Sequence, residues 1–406
     1  MISDAPGALE DAARLHALYL ARLRRVRDCM RRAETPALLI ADPVNILYAT
    51  GAQNMSVWAM RNTSRYLLLL AEGPVILFEP FGCAHLSQDL PTLDEVRPGI
   101  GVQYTSAGPG MEAAVQRWAS ELIPLIEASA GKGARLGVDR LPFAALDALR
   151  AAGLRLTDAD AVLYEARRIK LSEELPYIEE AVRRVEAAAA ELAQAIEPGM
   201  SEAEVWAEFQ RGFIARGGQY ISTRLIAGGP RSFPYFQECS ARPLQAGELL
   251  CFDTDAIGYL GYAVDFSRTF LCGGARGGDA QRKLYGLARE QLAWNAELFQ
   301  PGRSYREIAE RTWPIPEAYR PTSYYCIAHG LGMSGEYPNV PHLQAGEAYP
   351  MEGVVEPGMV LCVESYIGSA QAGQGVKLED QFLITEAGPK TLSRFPFEER
   401  LLGREV

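Results

Sequence analysis

Six residues in the second half of the chain have the types and spacing of a metal site: Asp253, Asp255, Asp265, His329, Glu364 and Glu379. Asp253 and Asp255 stand two apart in a strand-like run, so a period of two turns both to one face. Asp265 follows in Gly261-Tyr-Ala-Val-Asp-Phe-Ser-Arg-Thr-Phe270, His329 sits in Ala328-His-Gly-Leu-Gly332, Glu364 ends a predicted strand, and Glu379 lies in Val376-Lys-Leu-Glu-Asp-Gln-Phe-Leu-Ile384. Each acid lies among apolar strand residues, where an ionised carboxylate is costly unless paired or metal-bound. Taken singly, any of them reads equally well as an exposed strand-end acid. Together, five carboxylates and one imidazole form an oxygen-rich set suited to two adjacent divalent ions such as Fe, Mn, Zn or Co.

Composition narrows the chemistry further. The 406 residues include only four histidines, His16, His85, His329 and His342, so a centre built from three or more of them is excluded unless nearly all converge. The formal charge of −11 argues against nucleic acid as a partner. The locally basic stretch Arg22–Arg32 reads as a solvated helix face. No apolar run approaches the length of a membrane span, and no basic start leads into one, so neither a membrane partner nor a signal peptide is expected. Seven cysteines without a C-x-x-C pair point to reduced thiols in a cytoplasmic compartment, with Cys251 and Cys362 as small core residues inside apolar runs.

The elements that must position these residues divide into two parts. Residues 10–33 have helical periodicity, Pro36–Ala41 reads as a buried strand, and Tyr66–Ala71 and Val75–Phe78 as strands joined by the Glu72-Gly-Pro74 turn. A helix over 112–128 and a strand at Arg135–Asp139 complete an α/β domain placed at residues 1–165. The remainder, residues 166–406, opens with a long helix from an expected cap at Ser172 to Pro198-Gly199. It contains a weak repeat: Glu197-Pro-Gly-Met-Ser resembles Gln300-Pro-Gly-Arg-Ser, and Gly247-Glu-Leu-Leu-Cys-Phe-Asp253 resembles Gly358-Met-Val-Leu-Cys-Val-Glu364. Two αβ halves related in this way would set Asp253 and Glu364 facing one another. The expected class is α/β (α+β).

Aromatic residues gather in the flanking motifs: Trp58, Tyr235, Phe236, Tyr324, Tyr325, Tyr337 and Tyr366. A box of such rings favours a sulfonium or quaternary ammonium head by cation–π attraction, although each ring alone reads as core or rim packing. Arg224, Arg231 and Arg268 are available to grip a substrate carboxylate, with Arg268 better placed to brace the Asp265 loop.

The pattern D-x-D…GY-x-x-D-x-S-R-T-F, then H-G-x-G, E-P-G-M-V-L-x-V-E and K-L-E-D resembles the pita-bread superfamily of methionine aminopeptidase, prolidase, Xaa-Pro aminopeptidase and creatinase. The resemblance spans the whole chain. It implies a pita-bread domain of pseudo-twofold αβ halves behind a smaller creatinase-like α/β domain, with metal ligands at Asp253, Asp265, His329, Glu364 and Glu379. The two further histidines that shuttle protons in the peptidases are missing: Glu336 and Tyr235 stand at those positions. A tyrosine of pKa near ~10 is a poor replacement.

A narrower resemblance is to the pita-bread dimethylsulfoniopropionate lyases. It is carried by Asp42-Pro-Val-Asn-Ile-Leu-Tyr-Ala-Thr50, Asn54-Met-Ser-Val-Trp58, Thr223–Arg231, Phe236-Gln-Glu-Cys239, Phe252-Asp-Thr-Asp255 and Arg394-Phe-Pro-Phe-Glu398. It implies a sixth ligand at Asp255, substrate contacts from Trp58 and Tyr324, and a homodimer. The lyases place a catalytic aspartate where this chain has Gly335, with Glu336 next to it. Glu336 and Tyr324 are therefore the candidate catalytic groups. Trp58, Tyr235, Tyr325 and Arg231 are the candidate contacts to a small-molecule substrate. Three readings stand: a metal-dependent lyase of dimethylsulfoniopropionate or a close zwitterion, a metal-dependent hydrolase of a small amide or C–N bond with Glu336 as proton acceptor, and a non-enzymatic relative. An Xaa-Pro dipeptidase-like activity is a further alternative, set back by the missing shuttles.

Overall fold

The computed structural model describes residues 11–274, 276–344 and 348–402. The chain divides into two compact units, Met1–Arg167 and Arg168–Val406.

In the first unit the helix Ala12–Arg32 is capped by the Asp11 side chain, which accepts from the Ala13 N–H. Residue 10, where the sequence pattern begins this helix, lies outside the described residues. A six-stranded sheet has the order Glu95–Pro98, Val75–Glu79, Tyr66–Leu70, Ala37–Ile40, Arg135–Val138, Arg155–Asp158. The central strands are buried along their whole length, which explains their unbroken Leu, Ile and Val runs. Trp118 from the helix Met111–Ala130 packs edge-on against Tyr66, which stacks on Phe78.

The second unit opens with the helix Leu175–Ala195. Its N-cap is Glu174, two residues beyond the expected Ser172. The Glu174 carboxylate instead accepts from the Leu171 N–H and the Tyr262 hydroxyl, and Pro176 sits in the first turn. The two repeat serines do cap helices: Ser201 and Ser304 each form a capping box, with Glu204 and Glu307.

Two sheets carry Asp253, His329, Glu364 and Glu379, while Asp255 and Asp265 lie in the connections between strands. One has three strands, in the order Ser267–Leu271, Leu249–Asp253, Ile226–Gly228. The other has five, in the order Gly335–Pro341, Cys326–Leu331, Val360–Ser369, Gln374–Thr385, Gly388–Thr391. Thr269 joins them: its hydroxyl donates to the Lys377 carbonyl at 2.9 Å and accepts from the Lys377 N–H at 3.0 Å. Glu364 is interior to its strand rather than at the end, because Val360–Ser369 pairs with Gln374–Thr385 over ten residues. That register sets Glu364 directly opposite Glu379, and His329 opposite Cys362.

The turn between Leu331 and Gly335 is tight. A Cβ at Gly330 would stand 2.6 Å from the Tyr337 carbonyl oxygen and 2.8 Å from that of Glu336. Both are backbone atoms with no rotamer to give way. We expect Gly330→Ala to destabilise the protein by about 1–3 kcal/mol, the usual cost of forcing extra volume into a packed site. Urea unfolding checks this, and an unchanged midpoint refutes it.

Candidate metal centre

Three local devices aim the ligands. The strand Cys326–Leu331 carries an irregularity between His329 and Gly330 against its neighbour Gly335–Pro341, and such a bulge re-aims a side chain. His329 Nδ1 lies 3.2 Å from the Gly330 carbonyl, leaving Nε2 turned to the acids. Asp253 ends its strand, and Asp255 has a positive φ of 37°, so the period-of-two argument for their shared face does not hold beyond Asp253. Asp255 is nonetheless brought in by the loop: its N–H points at Asp265 Oδ1 from 3.4 Å, and Thr223 donates to its Oδ2 at 2.6 Å. Arg268 braces Glu379 from behind, donating to the Glu379 carbonyl at 2.8 Å and to Asp380 Oδ1 at 2.7 Å.

His329 Nε2 lies 3.5 Å from Glu364 Oε1, 3.5 Å from Glu379 Oε1 and 3.7 Å from Asp265 Oδ2. These gaps are long for hydrogen bonds. They suit donors sharing one ion, since ligands about 2.0–2.2 Å from a metal stand roughly this far from one another. Glu379 Oε1 is buried and makes no hydrogen bond, an orphaned acceptor aimed into the gap. The donor atoms of Asp265, His329, Cys362 and Glu379 all lie within 4.8 Å of one another. The residues therefore fit a divalent cation. Cys362, expected only as core, faces this group, and its thiol donates to the Asp265 carbonyl at 3.6 Å.

The electrostatics say the same. Burial, then the neighbouring Glu379, raises the Asp265 carboxyl well above the usual range. Burial, then Asp253, pushes Asp255 up to about 7. Asp253 and Glu364 are raised by burial as well. Burial alone would lower His329, but Glu364 and Glu379 outweigh it and hold the imidazole well above its ordinary value. Crowded acids that cling to protons are acids short of a cation.

One cation is supplied by the chain itself. The fully buried Lys377 ammonium donates to Glu364 Oε2 at 2.6 Å, Glu379 Oε2 at 2.8 Å and Ser267 Oγ at 2.8 Å, and stands 3.4 Å from Asp253 Oδ2. Burial works against it, yet Asp253, Glu364 and Glu379 prevail and raise its pKa well above the usual lysine value. Glu379 is the complement: burial would raise it, and Lys377 with His329 brings it down to about 2. Sequence reasoning passed over Lys377, although its place two residues before Glu379 on one strand was the available signal.

The remaining candidates divide. Tyr235, Tyr324 and Tyr325 line one cleft of about 480 Å³ with Pro234, Pro321, Thr322 and Ser323. Tyr235 stacks on Tyr324 at 5.6 Å, and the Lys377 ammonium lies 5.2 Å from the Tyr324 ring centre, so the cleft adjoins the acids. Burial, then Glu364, pushes the Tyr324 phenol far up, which makes it a donor and not a base. Trp58 is half-exposed in the first unit, on the short helix Ser56–Ala59.

Two expectations are corrected. Arg231 is not free for a substrate carboxylate: its guanidinium donates to the wholly buried Glu202 at 3.0 Å, to Gln237 Oε1 at 3.1 Å and to the Glu238 carbonyl at 2.7 Å. Glu336 is not poised as a proton acceptor. Its carboxylate is buried, receives the Lys170 ammonium at 2.9 Å and the Met333 N–H at 3.1 Å, and fills the space beside Gly332.

Two outcomes are expected. His329→Ala and Asp265→Ala each lose bound metal by elemental analysis while keeping native circular dichroism, and full metal content in either refutes the ligand assignment. Lys170→Met leaves Glu336 buried without its cation and costs about 3–5 kcal/mol in urea unfolding. A loss under 1 kcal/mol would show the pair to be dispensable.

Sequence comparison agrees with this geometry. The profile described as metallopeptidase family M24 matches residues 176–386, and that of the creatinase/prolidase N-terminal domain matches residues 22–169. The dimethylsulfoniopropionate lyase DddP of Roseovarius nubinhibens is 34% identical over 98% of this chain and 90% of its own. The protein of the same name from Roseobacter denitrificans is 33% identical over 97% and 90%. The Xaa-Pro dipeptidase of Pyrococcus furiosus is more distant, 29% identical over 58% of this chain and 66% of its own. The crystal structure of the prolidase from Pyrococcus horikoshii superposes with a TM-score of 0.73, covering 93% of this chain and 99% of that one at 22% identity, and so speaks to the fold alone. Acid-lined sheets in the second unit and the α/β first unit thus have one explanation: the chain belongs to the M24 creatinase/prolidase superfamily, with an N-terminal creatinase-type domain and a C-terminal pita-bread domain.

Proposed function

We propose that this protein is a metal-dependent lyase acting on dimethylsulfoniopropionate or a closely similar small zwitterion. The observation that carries the reading is similarity along nearly the whole chain, at 34% identity, to a protein named as such a lyase. The acid cluster and its adjoining aromatic cleft are compatible with it. Asp265, His329, Glu364 and Glu379 would hold the ion, with Asp253 and Asp255 available to a second. A bound divalent ion supplies Lewis acidity toward a substrate carboxylate. Tyr235 and Tyr325 wall the cleft beside the acids, Tyr235 against the buried side and Tyr325 at the solvent-exposed mouth. The Tyr324 hydroxyl keeps its proton and can donate a hydrogen bond to the substrate. A small-molecule substrate and a homodimer belong to the same reading, the latter checked by sedimentation. Among the described residues no helix is long and apolar enough to cross a membrane.

A second reading has its own support. Removal of an α-proton needs a basic side chain, and Gly335 supplies none while Glu336 is tied to Lys170. Hydrolysis of a small amide or C–N bond by a metal-activated water makes no such demand on position 335.

One experiment separates the two. Protein loaded with iron or manganese is given dimethylsulfoniopropionate, and dimethyl sulfide and acrylate are measured. Turnover supports the lyase. No turnover, together with cleavage of a small amide or an Xaa-Pro dipeptide, overturns it. Gly335→Asp sharpens the test, because a Cβ at position 335 meets nothing within 4 Å and the new side chain has room. If the missing base is the obstacle, this variant gains lyase activity of about 10²-fold or more, the usual scale of a general base.

A further inference from the structure

Glu364 and Glu379 use their two oxygens in the same way. Oε2 of each accepts from the Lys377 ammonium, at 2.6 and 2.8 Å, and Oε1 of each faces His329 Nε2 at 3.5 Å. Lys377 is itself fixed. Its backbone N–H donates to the Thr269 hydroxyl, and its ammonium donates to Ser267 Oγ, whose hydroxyl in turn donates to Glu379 Oε2 at 2.8 Å. The Tyr324 ring at 5.2 Å and the Phe236 ring at 6.0 Å flank the ammonium and keep it from solvent. An ammonium has three protons and no acceptor. Here they are spent on the two glutamates and the serine.

We propose that Lys377 is a positioning residue of the metal centre. By occupying Oε2 of both glutamates it presents one oxygen of each to an ion held with His329 and Asp265, and it keeps the centre assembled before that ion arrives. The inference rests on the metal reading above but not on the substrate. It has a physical reason in the register: Glu364 and Glu379 are directly opposite on adjacent strands, where like charges repel. Without the ammonium nothing holds the two Oε2 atoms in place, and the two side chains would rotate out of this arrangement.

The proposal has a distinctive sign. By Coulomb's law alone, removing a positive charge beside a cation site raises its affinity. Loss of a residue that orients the ligands lowers it. We would titrate chelator-treated full-length protein with Co(II), in competition with a chromogenic chelator, for wild type, Lys377→Met, Lys377→Arg, Ser267→Ala and His329→Ala. Lys377→Met is expected to bind Co(II) at least about tenfold more weakly, the scale at which outer-shell partners act. Its visible d–d absorption weakens as freed carboxylate oxygens raise the coordination number. Lys377→Arg, which keeps the charge, recovers part of the affinity. Ser267→Ala leaves the charge unchanged and loosens the ion by a smaller factor. Tighter or equal Co(II) binding by Lys377→Met overturns the proposal. If that variant does not fold, wild-type affinity and spectrum in Ser267→Ala overturn it. Equal binding by wild type and His329→Ala overturns the metal reading itself, and the proposal with it.

Discussion

Charge balance in a dry place is the constraint from which the rest of the second unit follows. Five carboxylates, those of Asp253, Asp255, Asp265, Glu364 and Glu379, share a region where water is scarce. An ionised carboxylate in such surroundings is expensive, and a neighbour of like charge makes it more so. The chain answers part of this with one lysine and one imidazole. The remainder is the negative charge that a divalent ion neutralises. The same crowding that raises the pKa of Asp265 and Glu364 is what a bound divalent ion would relieve.

The backbone is arranged to make that crowding unavoidable. Register sets Glu364 opposite Glu379 and Ser267 opposite Asp253, so neither pair can separate without breaking a ladder of buried strand residues. Thr269 stitches the two ladders at Lys377, and Arg268 holds the Glu379 carbonyl from behind. A strong ladder on each side lets the sheets carry electrostatic repulsion that a loop could not. The irregularity at His329 and the positive φ of Asp255 are the places where regular structure yields to the site.

Much of this was legible in the sequence, and the gaps have physical causes. Each ligand type announces itself, because an acid in a Val-Leu-Ile run is anomalous on burial grounds alone. The capping serines at 201 and 304 are equally plain, since the Ser-x-x-Glu pattern is local. Asp255 was reached through a strand periodicity that the chain abandons at Asp253, so the argument for its face does not describe how the loop brings it in. Arg231 was read as free because its partner, Glu202, is 29 residues away on a helix, and sequence carries no mark of that pairing. Lys377 reads as solvent-facing because lysines in strands usually are, although its place two residues before Glu379 sets both on one face. Cys362 reads as core and is buried there, but one face of that core meets the donor atoms of Asp265, His329 and Glu379.

Position 336 shows how a single exchange alters what a shared fold can do. The peptidase pattern that this chain resembles carries a histidine at this point. A glutamate here can join Lys170, and once buried with it the carboxylate is held by a charge and a backbone N–H. Freeing it for catalysis would mean breaking the buried ion pair with Lys170, a cost on the order of several kcal/mol. At Tyr235, the other shuttle position, burial drives the phenol up rather than toward neutrality, so no proton leaves it at working pH. The pita-bread scaffold thus keeps its acids while Tyr235 packs among aromatic rings and Glu336 pairs with Lys170. Under the proposed reading, chemistry at this centre would draw on a bound ion and the substrate's own groups, because neither position 235 nor position 336 offers a mobile proton.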